Sequence, residues 1–221
     1  MNVEQILFHL ADALRVPVLI LALLALGVVL VEAGSLLAEL ARRRGRSLRS
    51  LDRAIAECRG RLDAGMSEEA LMPLLGVARN RAMEEVLIEI LAQVGRPDAE
   101  ARLAKLLAEY DYRSVRRLER TRILVRMGPA LGLMGTLIPL SPALAGLADG
   151  DLATLSENLR VAFSVTVAGL LIGAVAFAIS LVRDRLYAQD HSDVEYVAAT
   201  LTPSTGNGVP TAQHSHWAAA P

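Results

Sequence analysis

Two threonines, Thr136 and Thr166, carry the reactive chemistry in the most apolar part of this chain. Each lies in or beside a stripe of small residues at helical spacing. Gly128, Gly132, Gly135, Pro139, Pro142 and Gly146 step by 4, 3, 4, 3 and 4; Ala162, Thr166, Gly169, Gly173, Ala176 and Ser180 step the same way. That alternation keeps a seam on one side of a helix. A threonine hydroxyl donates one proton and accepts through two lone pairs. In a membrane helix it most often bonds the carbonyl three or four residues back, a structurally quiet role. The runs that hold the two threonines, Met127–Leu147 and Leu159–Leu181, contain no Asp, Glu or His. Proton transfer at membrane depth needs an ionisable side chain or a water chain. This polypeptide alone therefore offers no carboxylate to carry a proton in mid-membrane.

Nothing else in the chain points to catalysis. It has no nucleotide loop, no paired carboxylates in an apolar setting, no Ser/His/Asp arrangement and no metal-ligand spacing. The expectation is a protein that is not an enzyme and takes neither cofactor nor metal. Cys58, the only cysteine, excludes an intrachain disulfide and reads as a small buried apolar residue. His214 and His216 lie in a tail rich in small residues and read as incidental.

The elements that must position the threonines are membrane helices. With 53% hydrophobic residues and a mean hydropathy of +0.38, the 221-residue chain is too apolar for an ordinary soluble domain, yet it keeps long charged segments. About 20 residues of helix cross a bilayer. Val16–Val31 supplies a first such run, with Pro17 suited to a first helical turn, and Glu32 ends it. Met127–Leu147 and Leu159–Leu181 supply the second and third. Lipid tails gain little from packing on glycine, so the small-residue seams are expected to face another helix. The predicted fold is all-α: an integral membrane protein with three transmembrane helices and a helical cytoplasmic extension. Its parts are an extracytoplasmic terminus (1–15), span one (16–34), a cytoplasmic region (35–126) and span two (127–147). An outer loop (148–158), span three (159–181), a cytoplasmic helix end (182–201) and a disordered tail (202–221) follow. The first 15 residues lack a basic n-region and a cleavage site, so no removable signal peptide is read there.

Charge gives the orientation. Of 23 Lys and Arg, 19 fall between Glu32 and Arg126, whereas Ala148–Asn158 carries Asp149, Asp151 and Glu157 without a basic residue. The positive-inside rule puts the amino terminus outside and both Glu32–Arg126 and the carboxyl end in the cytoplasm. The cluster Arg42, Arg43, Arg44, Arg46 and Arg49 is juxtamembrane, and its segment also holds 15 acidic residues. Lipid headgroups account for it better than nucleic acid.

The cytoplasmic segment reads as helices. Leu51, Ile55, Cys58 and Leu62 mark one amphipathic stretch. Ser67-Glu68-Glu69-Ala70 reads as a helix start with Pro73 close behind, and Ala82–Val94 as a further helix. After Gly95-Arg96-Pro97, Asp98 opens a long helix, with Leu103, Leu106, Leu107, Tyr110, Val115 and Leu118 on its apolar side. It is expected to run unbroken into span two. The third span is expected to continue to about Ala188 or Val197.

Pro129-Ala130-Leu131-Gly132-Leu133-Met134-Gly135-Thr136-Leu137 resembles the second-helix motif of the MotA/TolQ/ExbB proton-channel family. Ala162-x-x-x-Thr166-x-x-Gly169-Leu170 resembles that family's third-helix motif. The resemblance covers about Arg120 to Arg185, and the three-span layout is similar to ExbB and TolQ rather than to four-span MotA. It implies a ring-forming homo-oligomer, typically a pentamer, in the inner (cytoplasmic) membrane. The ring surrounds a dimer of a single-span partner of the ExbD, TolR or MotB kind. The partner's intramembrane aspartate carries the proton, and ion passage drives motion used for work elsewhere, protein transport included. By position, Thr136 and Thr166 would line the ion pathway. Gly128, Pro129, Gly132, Gly135, Ala162, Gly169 and Gly173 would serve helix packing and partner contact. Two features depart from the family pattern. Val161 stands where ExbB and TolQ carry an acid, five places before the third-helix threonine. Pro139 and Pro142 fall where the helix is usually regular, and are expected to kink it. The alternative is a membrane scaffold whose seams only hold a complex together.

Overall fold

A computed structural model describes residues 3–43 and 47–202. The described residues are helical, with no strand among them: α1 (Val3–Ala13), α2 (Arg15–Arg42), α3 (Leu48–Asp63), α4 (Leu71–Val77), α5 (Arg81–Gln93), α6 (Ala99–Ala148) and α7 (Leu152–Leu201). Three of these, α2, α6 and α7, are long and apolar enough to cross a membrane. The all-α expectation with three such helices therefore holds. The tail read as disordered lies, from residue 203 on, outside the described residues.

Helix boundaries follow local chemistry. The side chain of Asn80 accepts from the Met83 N–H at 2.9 Å and caps α5, satisfying one of the free donors of a helix start. The start expected at Ser67 falls instead at Leu71. A helix begun at Ser67 would need the Pro73 N–H to bond the carbonyl of Glu69, and proline has none. That carbonyl accepts from the Arg61 guanidinium at 2.8 Å and from Met72 N at 3.3 Å. The 50-residue α6 runs without interruption through Pro129, Pro139 and Pro142. Its apolar face is as expected at Leu103, Tyr110 and Leu118, which are buried, but Val115 is exposed.

The outer loop expected over 148–158 is shorter. Only residues 149–151 separate α6 from α7, and Gly150 there has a φ of +76°, a left-handed conformation that glycine adopts without steric cost. Asp151 caps α7, accepting from Thr154 N at 3.0 Å and from Thr154 Oγ1 at 2.5 Å. These bonds hold its carboxyl below the usual carboxylate range. The third long helix passes Val197 and reaches Leu201, the end of the 182–201 segment expected to continue it.

The described residues divide into two units, 3–43 and 47–48 with 109–192, and 49–108 with 193–202. In the first, Val29 of α2 and Ile172 and Ala176 of α7 form a buried cluster, with Leu124 and Val125 of α6 packed on it. In the second, the buried set includes Cys58 of α3, Leu74 of α4, Met83, Leu87 and Ile90 of α5, and Val194 and Val197 of α7. Burial pushes the Cys58 thiol up, although the charge of Arg61 opposes this. Polar clasps tie this unit together. Arg79 pairs with Asp193 at 2.8 Å, Tyr196 Oη donates to Asp52 at 3.0 Å, and Arg59 donates to the Thr200 carbonyl.

Candidate functional site

The two small-residue seams face each other. Gly128 lies against Gly169 and Gly173, Gly132 against Thr166 and Gly169, Gly135 against Val165, and Gly146 against Thr154. Residue numbers fall along α7 as they rise along α6, so the helices form an antiparallel hairpin in register over this length. The approach is backbone to backbone: a Cβ built on Gly128 would lie 2.7 Å from both the Gly169 carbonyl oxygen and the Gly173 nitrogen. Only glycine permits such proximity. Gly173 meets the ring of Pro129, where a Cβ would stand 2.8 Å from the proline Cδ. Gly173 also lies beside the carbonyl of Val125, the one that Pro129 deprives of its helical donor. Ala162, one turn before Thr166, is buried as well.

Both threonines converge on one oxygen. The carbonyl of Gly132 lies 3.4 Å from Thr136 Oγ1 and 3.3 Å from Thr166 Oγ1. Each hydroxyl has a shorter bond within its own helix, Thr136 to the Leu133 carbonyl at 2.7 Å and Thr166 to the Ala162 carbonyl at 3.0 Å. Both therefore spend their proton on backbone and keep lone pairs to accept with. Both are partly exposed, unlike the glycines beside them. The faces of Gly132, Gly135 and Gly169 pack against the opposite helix of the chain's own hairpin. The spacing revealed a seam but carried no information on which helix would occupy it.

Sequence reasoning missed a polar belt that fixes α2 to α7. Arg15 Nη2 donates to Asn158 Oδ1 at 2.8 Å. Arg183, buried, donates to Glu32 at 2.5 Å, to Ser35 Oγ at 2.6 Å and to Thr121 Oγ1 of α6 at 3.4 Å. Arg43 grips both oxygens of fully buried Asp190, at 2.8 and 2.6 Å, and reaches Glu39 at 2.6 Å. Burial works against the Arg43 charge, but Asp190 and then Glu39 outweigh it and hold the guanidinium above its ordinary pKa. Glu32 was legible only as the end of an apolar run; its pairing with a residue 151 positions away left no local signal. Arg160, near the start of α7, pairs with Glu157 at 2.9 Å. Among the described residues no group of three or more His, Cys, Asp or Glu could hold a metal ion.

Three long apolar helices, two of them in a glycine-sealed hairpin, define a multi-pass membrane protein. Residues 78–195 match the family model of the MotA/TolQ/ExbB proton channel family, and the chain belongs to that family. The matched segment contains all of α6 and α7 as far as residue 195. No curated protein and no solved structure matches the chain. Members of this family are channel or motor subunits of the membrane-motor type, which work with single-span partner proteins.

Proposed function

We propose that this chain is the proton-conducting subunit of an inner-membrane motor, forming a homo-oligomeric ring, a pentamer by family resemblance. The ring works with a single-span protein that brings the intramembrane aspartate. One observation carries the reading: two hydroxyls meet at the Gly132 carbonyl in a hairpin whose apolar runs lack any carboxylate. Lone pairs on Thr136 and Thr166 accept from water, and rotation of either Oγ frees a donor for a carboxylate. The acid itself must come from another chain. The distribution of basic residues supports an amino terminus outside and a cytoplasmic segment between α2 and α6.

A scaffold without conduction is the second reading. It is favoured by the bonds that both hydroxyls already make to backbone carbonyls. The deciding experiment is proton or sodium uptake into vesicles holding this chain and its single-span partner, driven by an imposed gradient. Threonine to valine at 136 and 166 keeps the shape and removes one polar contact each, worth roughly 1 kcal/mol. The expected result is an assembled complex with most of its flux lost. Undiminished flux in the double valine variant sinks the channel role of both residues and leaves the scaffold.

A further inference from the structure

On the exposed flank of the hairpin, α6 and α7 enclose a shallow pocket of about 290 Å³. It is lined by Arg122, Val125 and Arg126 of α6 and by Phe177, Ser180, Leu181 and Asp184 of α7. From these residues we infer a binding site for the phosphate of an anionic phospholipid, with an acyl chain lying on the apolar wall. Arg126 directly precedes Met127, where the apolar run of α6 begins. Among the described residues it makes no hydrogen bond or ion pair, and so stands as a cation at the hydrocarbon edge without an anion from its own chain. A guanidinium in that position binds phosphate with paired N–H donors better than water alone serves it. Arg122, one turn away, is held at 3.2 Å by Asp184, with both side chains about half exposed. It can therefore turn toward a second phosphate oxygen.

The wall is apolar where a lipid tail would lie. Phe177 and Leu181 are 57% and 46% exposed, large surfaces for a helix pair already packed along its other side. Ser180 donates to the Phe177 carbonyl at 2.9 Å, so its proton is spent within the helix and the arginines are the donors left for a phosphate. Asp184 opposes an anion directly, which gives the site an internal control of opposite sign. Free phosphate shares the headgroup chemistry but makes no use of Phe177 and Leu181.

The test uses the purified full chain in detergent. Binding of phosphatidylglycerol is measured by native mass spectrometry, with inorganic phosphate and glycerol phosphate as competitors. The expectation is one retained lipid per chain, weakened at least about tenfold by Arg126→Gln and largely kept by Arg126→Lys. Asp184→Asn should tighten binding, by releasing Arg122 and removing a negative charge. Arg120→Gln, an exposed arginine outside the pocket, should leave it unchanged. If Arg120→Gln weakens binding as much as Arg126→Gln, attraction is general and the site does not exist. If Asp184→Asn weakens binding, Arg122 and Asp184 do not act as assigned and the site is overturned. Displacement of the lipid by inorganic phosphate at comparable concentration would make it a free-anion site and refute the lipid assignment. None of these readouts depends on ion flux, so the site can stand or fall apart from the motor.

Discussion

Alanine at Gly169 tests the hairpin where backbone approaches backbone most closely. The new Cβ would lie 2.6 Å from the Gly128 carbonyl oxygen, 2.7 Å from Gly132 Cα and 2.8 Å from Gly132 N. All three neighbours are backbone atoms, so no side chain can rotate aside. Comfortable carbon contacts are about 3.5–4.0 Å, and α6 must retreat by about 1 Å along a seam that also includes Gly128, Gly132 and Gly135. Overpacking typically costs about 1–3 kcal/mol, and Gly169 belongs at the top of that range. Gly132 is the graded comparison. Its Cβ would sit 3.3 Å from the Thr166 carbonyl and 3.4 Å from Gly169 Cα, needing a shift of a few tenths of an ångström and a cost near the bottom of the range. Gly27 of α2 has nothing within 4 Å of an added Cβ, and alanine there should be neutral or stabilising by up to about 1 kcal/mol. The assay is the unfolding free energy of each purified variant in mixed micelles under sodium dodecyl sulfate titration. The expected order of loss is Gly169, then Gly132, with Gly27 at or below zero. Equal effects at Gly169 and Gly27 would mean that the two seams do not close on each other.

Other outcomes follow from the same contacts. In intact cells, cysteine in place of Arg42 should resist an impermeant thiol reagent and cysteine in place of Asp149 should react; the reverse pattern would invert the proposed topology. The native Cys58 should add little background, because it is fully buried and its thiol is pushed up, leaving less thiolate to react. Removing Arg183 alone, as leucine, should cost about 3–5 kcal/mol by stranding Glu32, and the double change Glu32→Leu with Arg183→Leu should recover much of it; a double variant as weak as the single one would discount the pair. Asp151 has a lowered pKa in the folded hairpin. Its contribution is therefore full above the unfolded value of about 3.9 and is lost as pH falls through the lower folded value. Asp151→Asn, which still caps, should flatten that acid-side slope in melting experiments, and an unchanged slope would remove the cap from the account. Serine at positions 136 and 166 should restore much of the flux that valine removes.

How much of this was legible depends on the range of the signal. The seams could be read because glycine at steps of four and three declares one helix face whatever lies opposite. Their partner could not, since an intrachain helix and a foreign one make the same demand for small residues. Asp151 and Asn80 had their capping signals in plain view, an Asp ahead of Thr154 and an Asn ahead of an apolar stretch, yet only the structure brought out both. The Ser67 start was misread because the capping pattern was weighed above Pro73, and the missing proline donor decides where that helix begins. Glu32, Ser35, Thr121 and Arg183 meet across three helices, and no periodicity in any one of them announces the meeting. For the site, the spacing marks the two threonines one helix at a time, whereas their shared acceptor at Gly132 lies between the helices and leaves no trace in either run.

The three-residue turn between α6 and α7 also governs how the chain is made. Two long apolar helices joined by Asp149-Gly150-Asp151 leave no slack for one to settle in the bilayer while the other waits in water. Carrying those two aspartates across a bilayer is an uphill step, and a turn this short shares it between both helices. The glycine faces become useful only when they meet. A connection this short couples the two helices, so the hairpin is expected to enter a bilayer as one unit rather than helix by helix.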